Sequence, residues 1–158
     1  PFAALNIYAS VKDDIANDRS LFKTELHRAL QLLEHIKKMP AGSFSFSVAD
    51  ATFTGTEAGA GQAAAYAVAR YLGRLDNSLS IHATNFLSLA LLGEQEPTRF
   101  TNYYLPSSFN GKAEHSYTLT PGAQEPHLAT IIFKEENLPQ DMIAIMEQQL
   151  PSHIEGAE

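Results

Sequence analysis

The chain has 158 residues and none of them is cysteine. Disulfide bonds, thiol catalysis and thiolate metal sites are therefore excluded, because each requires a cysteine sulfur. This absence does not identify the redox compartment of the protein, since proteins of any compartment can lack cysteine.

Basic residues are also scarce. The 11 lysines and arginines are outnumbered by 18 acidic residues, which gives a formal net charge of −7. A phosphate backbone would be repelled overall by such a surface. We therefore expect no nucleic-acid partner.

Long apolar runs are missing as well. The longest, from Phe86 to Leu92, is far shorter than the roughly 20 residues needed to cross a bilayer. No positively charged stretch followed by an apolar one opens the chain. We expect a soluble protein without a transmembrane segment, a signal peptide or membrane insertion, and its compartment is left open.

No internal repeat, linker or block of charge divides the sequence. Its length suits one domain with a real hydrophobic core. We predict a single α+β domain over residues 1–151, followed by a flexible tail over residues 152–158.

The periodicity of the apolar residues predicts the element order β-α-ββ-α-α-βββ-α. The first strand covers residues 2–9, with its centre inside the sheet. The first helix begins near Asp18 or Ser20 and ends near Lys38. Its predicted buried stripe comprises Phe22, Leu26, Ala29, Leu30, Leu33 and Ile36.

Residues 43–53 change apolar phase, which predicts a hairpin turning at Ala49 and Asp50, although a bulge explains the same change. The stretch 78–92 fits a strand or a helix, and we favour a helix ending at Gly93. Three strands over 98–105, 112–120 and 127–133 and a final helix starting near Asn137 complete the order. That helix is expected to bury Leu138, Met142, Ile145, Met146 and Leu150. The sheet is predicted to be largely antiparallel, with helices packed on one face.

A glycine-rich turn precedes the alanine-rich helix that follows Thr54. Such a turn can bind phosphate at a helix N-terminus, but Gly55, Gly59 and Gly61 fit neither nucleotide-binding spacing, and Glu57 places negative charge there. We favour a packing role for these glycines, which let the helix approach its neighbours closely.

The dipeptide Asn110-Gly111 predicts a two-residue hairpin turn. The resulting register would place Asn102, Tyr104, His115 and Tyr117 on one face. This candidate binding surface could line a polar pocket or support acid-base chemistry, because His titrates near neutrality and Tyr can orient a substrate. Aromatic cross-strand pairs that only stabilise the sheet are the more common outcome.

Other catalytic and metal-binding patterns are weak. His27, Glu34 and His35 lack a closely spaced histidine pair, and no nucleophile-elbow sequence occurs. We therefore predict no metal and no cofactor.

Pro1, followed by a strand, an amphipathic helix and another strand, resembles the opening of the tautomerase superfamily, in which an N-terminal proline is the catalytic base. The resemblance covers about a third of the chain, and only Pro1 can be carried over. The resemblance implies keto-enol chemistry with Pro1 as the base. Burial among apolar residues would lower the pKa of its secondary amine towards neutrality, so that the amine could accept a proton near pH 7.

The sequence has many strand-forming segments, but it shows no group of catalytic residues that would come together in one site. We expect a non-catalytic interaction or assembly module whose partner is another protein or a second copy of the chain. A small enzyme using Pro1 is the alternative. A small-molecule carrier, with a pocket between sheet and helices, is a second alternative.

Overall fold

The computed structural model describes residues 2–8, 21–109, 113–123, 133, 136 and 138–149. The chain separates into two compact units, one ending at Phe100 and the other beginning at Thr101. The elements of the first unit are β1 (Phe2–Tyr8), α1 (Leu21–Lys37), β2 (Phe44–Asp50), α2 (Ala58–Gly73), β3 (Ser78–Ala83) and α3 (Leu87–Gln95). Those of the second are β4 (Tyr103–Tyr104), β5 (Ser107–Phe109), β6 (Ala113–His115), β7 (Thr120–Pro121) and α4 (Gln140–Gln149).

The main sheet of the first unit is parallel. Its three strands lie in the order β1-β2-β3, and both pairings run parallel. Helices α1 and α2 are the crossover connections, and successive right-handed crossovers in one direction place both helices on the same face. The prediction of a fold that mixes helices with a small sheet is confirmed. The prediction of a largely antiparallel sheet is wrong, because a helix separates each pair of adjacent strands.

Strand β1 lies at an edge of the sheet, and its side chains at Leu5 and Ile7 are exposed. The prediction that the centre of this strand is buried is therefore wrong. An apolar run predicts a strand with two covered faces, but the run cannot show whether the second face is covered within the same chain.

Helix α1 forms where the apolar spacing predicts it. Of its predicted stripe, Ala29 and Ile36 are buried, and Phe22, Leu26 and Leu33 are partly buried against the core. The buried residues are Glu25, Ala29, Leu32 and Ile36, while Leu30 is exposed. These four positions also follow helical spacing, at i, i+4, i+7 and i+11. The helix is thus rotated so that a glutamate lies among its inward residues.

The predicted hairpin at Ala49 and Asp50 is wrong. Strand β2 continues to Asp50, and the backbone then turns through positive φ at Ala51 (47°) and Phe53 (62°). Phe53 is buried in the core and packs edge-on against Phe22, with ring centroids 6.0 Å apart. The apolar phase changes because Phe53 leaves the sheet and enters the helix-packed core.

Residues 78–83 form strand β3, so the favoured helix over 78–92 is wrong in its first half. Leu79 pairs with Phe46, and Ile81 pairs with Val48. Pairing with β2 therefore decides between the two periodicities of this stretch, and tertiary context overrides a local helical spacing. Helix α3 then begins at Leu87 and ends at Gln95.

Helix α2 packs closely at its start, where a Cβ on Gly61 would collide with the carbonyl oxygen of Phe53. Glu96, which follows α3, ties the other end of α2 to α3. Its Oε1 lies 2.6 Å from the Nε of Arg70 and 2.7 Å from an Nη of Arg74. These two arginines hold the pKa of Glu96 down at about 2.

The second unit contains two small antiparallel pairs, β4 with β7 and β5 with β6. The predicted long strands over 98–105 and 112–120 are therefore replaced by shorter segments. Among the described side chains of α4, Ile143 is buried, whereas Met142 and Ile145 are exposed, which corrects the predicted buried face. The predicted strand 127–133 falls almost entirely, and Leu150 and the tail 152–158 entirely, outside the described residues. The prediction of one domain stays a prediction.

Candidate functional site

One face of the parallel sheet is apolar and largely exposed. Its side chains form two rows across the three strands, Leu5-Phe46-Leu79 and Ile7-Val48-Ile81. Phe2 and Phe44 extend the rows at the amino-terminal end, and the Phe2 ring lies 5.7 Å from that of Phe46. We call these eight residues the apolar sheet face. Such a continuous uncharged patch is typical of a surface that docks against another structure.

The opposite face of the sheet is polar and lies beneath the helices. Ser45 and Ser47 are buried there, and Asn6 donates to the Ser45 hydroxyl at 3.1 Å. His82 lies 3.1 Å from the Ser80 hydroxyl, and burial lowers the pKa of its imidazole. The usual arrangement, in which the apolar side of a sheet meets the helices, is therefore reversed.

A cleft of about 320 Å³ opens at the carboxyl ends of β1 and β2. Open parallel sheets commonly bind their ligands at this edge. The polar side chains lining the cleft are Tyr8, Glu25, Asp50, Thr52 and Thr54. Beneath it, a cavity of about 30 Å³ shares Tyr8, Glu25 and Thr52 and extends to Ser47 and His82. We call this second space the inner cavity.

Glu25 connects the two spaces. The side chain lies on the inward stripe of α1, and only 7% of the residue is exposed. Its Oε1 accepts a hydrogen bond from the backbone N–H of Phe53 at 2.8 Å. Burial raises the pKa of the carboxyl group, while the Phe53 N–H and the charge of Arg28 act in the opposite direction. The loop after β2 is thus held to α1 by a buried acid.

Tyr8 and Thr54 complete the hydrogen bonding around the cleft. The Tyr8 hydroxyl donates to the carbonyl of Arg28 at 2.9 Å, and burial raises its pKa. The Thr54 hydroxyl donates to the carbonyl of Ala51 at 3.2 Å. Both hydroxyl oxygens can still accept a hydrogen bond after donating their protons.

The structure places the predicted binding residues of the second unit in a different register. Tyr104 pairs with Thr120 rather than with Tyr117, and His115 pairs with Ser107 rather than with Pro106. Three residues, not two, separate the paired Phe109 and Ala113. The predicted two-residue register is therefore wrong.

The surroundings of these residues also differ from one another. Tyr117 has a positive φ of 51° and is 84% exposed. The carbonyl of Asn102 accepts the N–H of Gly122 at 2.9 Å. A ligand-binding role for Asn102, Tyr104, His115 and Tyr117 stays a prediction.

Pro1 lies outside the described residues, so its proposed catalytic role also stays a prediction. Within the described part of the chain, no group of three or more His, Asp or Glu side chains is arranged to hold a metal ion. In the same part, no helix has both the length and the apolar character needed to cross a membrane.

Sequence reasoning missed Glu25. The signal that could have found it is the spacing of Glu25 with Ala29, Leu32 and Ile36, which places an acid on a stripe of otherwise apolar residues. A buried acid of this kind is a candidate functional residue, because burial perturbs its pKa.

No protein-family model matches this sequence, and a comparison with curated proteins finds no match.

Proposed function

We propose that the chain is an interaction module that self-associates through the apolar sheet face. The observation that supports this is the exposure of large apolar side chains on all three parallel strands, including Leu5, Phe44 and Leu79. Parallel sheets occur almost entirely with both faces covered. Here α1 and α2 cover the polar face, so the apolar face is the one that requires a partner.

A second copy of the chain is the occupant we favour. The two rows of the face contain no charged side chain, so two copies can meet there without bringing like charges together, although each carries a net charge of −7. Two sheets that pack face to face bury their apolar side chains in a layer about 10 Å thick. The same patch on both copies forms a closed two-fold dimer.

Light scattering over a range of concentrations tests this proposal. We expect the mass to rise from 17.3 kDa towards twice that value. Ile81→Lys should hold the protein at the lower mass, because two copies would bury lysines at the interface. Its matched control is Leu30→Lys on α1, since Leu30 is 59% exposed and Ile81 is 56% exposed.

A strict monomer across the whole concentration range would contradict self-association. Equal association of the Ile81→Lys and wild-type proteins would show that another surface is responsible. Circular dichroism of both lysine variants checks that neither has unfolded, and both substitutions change the net charge by the same amount.

The carrier alternative has less support in the first unit. The inner cavity between the sheet and its helices has a volume of about 30 Å³, which is room for no more than a few water molecules. It is too small to enclose a ligand. The enzyme alternative depends on Pro1, which the described residues do not include.

A further inference from the structure

We propose that the cleft at the carboxyl ends of β1 and β2 binds a small molecule that carries a protonated primary amine, with Glu25 as its counter-ion. This site is separate from the apolar sheet face and does not depend on self-association.

One carboxylate oxygen of Glu25 lacks a partner within the described part of the chain. Oε1 of Glu25 is occupied by the Phe53 N–H, but Oε2 is buried and has no hydrogen-bond partner in the described structure. Leaving such an oxygen unpaired costs more than leaving a neutral group unpaired. Glu25 lines the cleft, so an ammonium group that enters the cleft and displaces the atoms covering Oε2 can supply the missing donor.

A second buried oxygen lies in the inner cavity. Ser47 is 2% exposed, and its hydroxyl also lacks a partner among the described residues. It lines the inner cavity next to Glu25. Glu25 and Ser47 therefore both carry a buried oxygen without a partner among the described residues, although only Glu25 also lines the cleft.

The chemistry of the lining favours a donor-rich cation. The hydroxyl protons of Tyr8 and Thr54 are already donated to backbone carbonyls, so their oxygens remain as acceptors. Asp50 adds a second carboxylate, and no described lining residue is basic. An ammonium group has three donors and no acceptor, and therefore complements this set.

The size of the cleft and the charge near it define the ligand further. A volume of about 320 Å³ is at the lower end of small-molecule sites, which indicates a small diffusible amine. Arg28 acts on Glu25 electrostatically from α1 and is not part of the lining. It offsets part of the charge of Glu25, while Asp50 contributes further negative charge to the cleft.

The test is a titration of the full chain with n-butylammonium chloride at constant ionic strength. Binding is monitored through the ¹⁵N–¹H signal of the Phe53 amide. This amide reports on Glu25 because it donates to Oε1. We expect a saturable shift for the wild-type protein and none with n-butanol, which has a similar shape but no charge. Glu25→Gln should weaken binding by at least about tenfold, and Asp50→Asn should weaken it less.

Glu34→Gln is the matched control, because Glu34 is exposed on the same helix and its replacement removes the same charge. Its affinity should equal that of the wild-type protein. The proposal is overturned if wild-type protein shows no saturable shift, if n-butanol binds as well as the amine, or if Glu25→Gln keeps its affinity while folded. A monomeric protein that binds the amine would overturn the proposed function and leave this site standing.

Discussion

Two glutamates of the first unit respond to their surroundings in opposite ways. Glu96 lies between Arg70 and Arg74, which lower its pKa from 4.5 to about 2. Glu25 lies in the core, where burial raises its pKa. The first residue therefore stabilises the fold when it is ionised, and the second stabilises it when it is protonated.

These shifts predict opposite effects of pH on stability. The contribution of Glu96 is complete above its unfolded pKa of 4.5 and is lost as the pH falls towards about 2, because the unfolded state then binds the proton more tightly. The contribution of Glu25 is complete below its unfolded pKa and is lost as the pH rises through its higher folded pKa. Urea unfolding of Glu96→Gln should show less acid destabilisation than the wild-type protein.

Glu25→Gln should raise the free energy of unfolding at neutral pH by about 1 kcal/mol, because it removes a buried charge and keeps an oxygen for the Phe53 N–H. Measuring both variants at pH 3 and pH 7 separates the two effects. Identical pH profiles for Glu25→Gln and the wild-type protein would contradict the assignment of a buried, perturbed carboxyl group.

At the scale of the elements, the start of α2 is fixed against the loop that follows β2. The loop is tied to α1 by the Phe53 N–H and to β3 by the Ala51 N–H, which donates to the Ala83 carbonyl at 2.9 Å. Gly61 allows α2 to lie directly on the Phe53 carbonyl. The glycine-rich turn therefore brings backbones together, which is the packing role that we favour from the sequence.

Gly61→Ala should destabilise the protein by about 1 to 3 kcal/mol, because the new methyl group meets a backbone oxygen that cannot move independently. Thermal unfolding measures the loss. Gly59→Ala is the control, since its methyl group would meet only the flexible Glu57 carboxylate, at 3.5 Å. It should be neutral or stabilising by up to about 1 kcal/mol. Equal melting temperatures for the two variants would contradict this packing.

Local patterns predict the extent of α1 and the presence of a strand at Phe2, because amphipathic spacing and β-rich composition are local properties. They do not predict the rotation of α1 that buries Glu25, since two stripes of this helix both have helical spacing. The pairing of Leu79 with Phe46 depends on residues far apart in the chain. The same limit explains why the cleft, whose lining comes from β1, α1 and the loop after β2, has no local motif.

For the whole molecule, the feature with the largest consequence is that the helices cover the polar face of the sheet and leave its apolar face exposed. Burying a large aliphatic side chain stabilises a structure by roughly 1.5 to 3 kcal/mol, yet Leu5, Ile7, Leu79 and Ile81 remain exposed. A chain that places serines under its helices and aliphatic residues on the open side gains this energy only when a partner covers that side. We propose that self-association provides this partner.

Intermolecular nuclear Overhauser effects between labelled and unlabelled copies measure that contact directly. In an equal mixture at high concentration, we expect cross-copy signals from the methyl groups of Leu5, Ile7, Leu79 and Ile81, and none from Leu30 on α1. If cross-copy signals are absent from these four residues while the protein is associated, or arise from Leu30 instead, the apolar sheet face is not the interface, and self-association through it is contradicted.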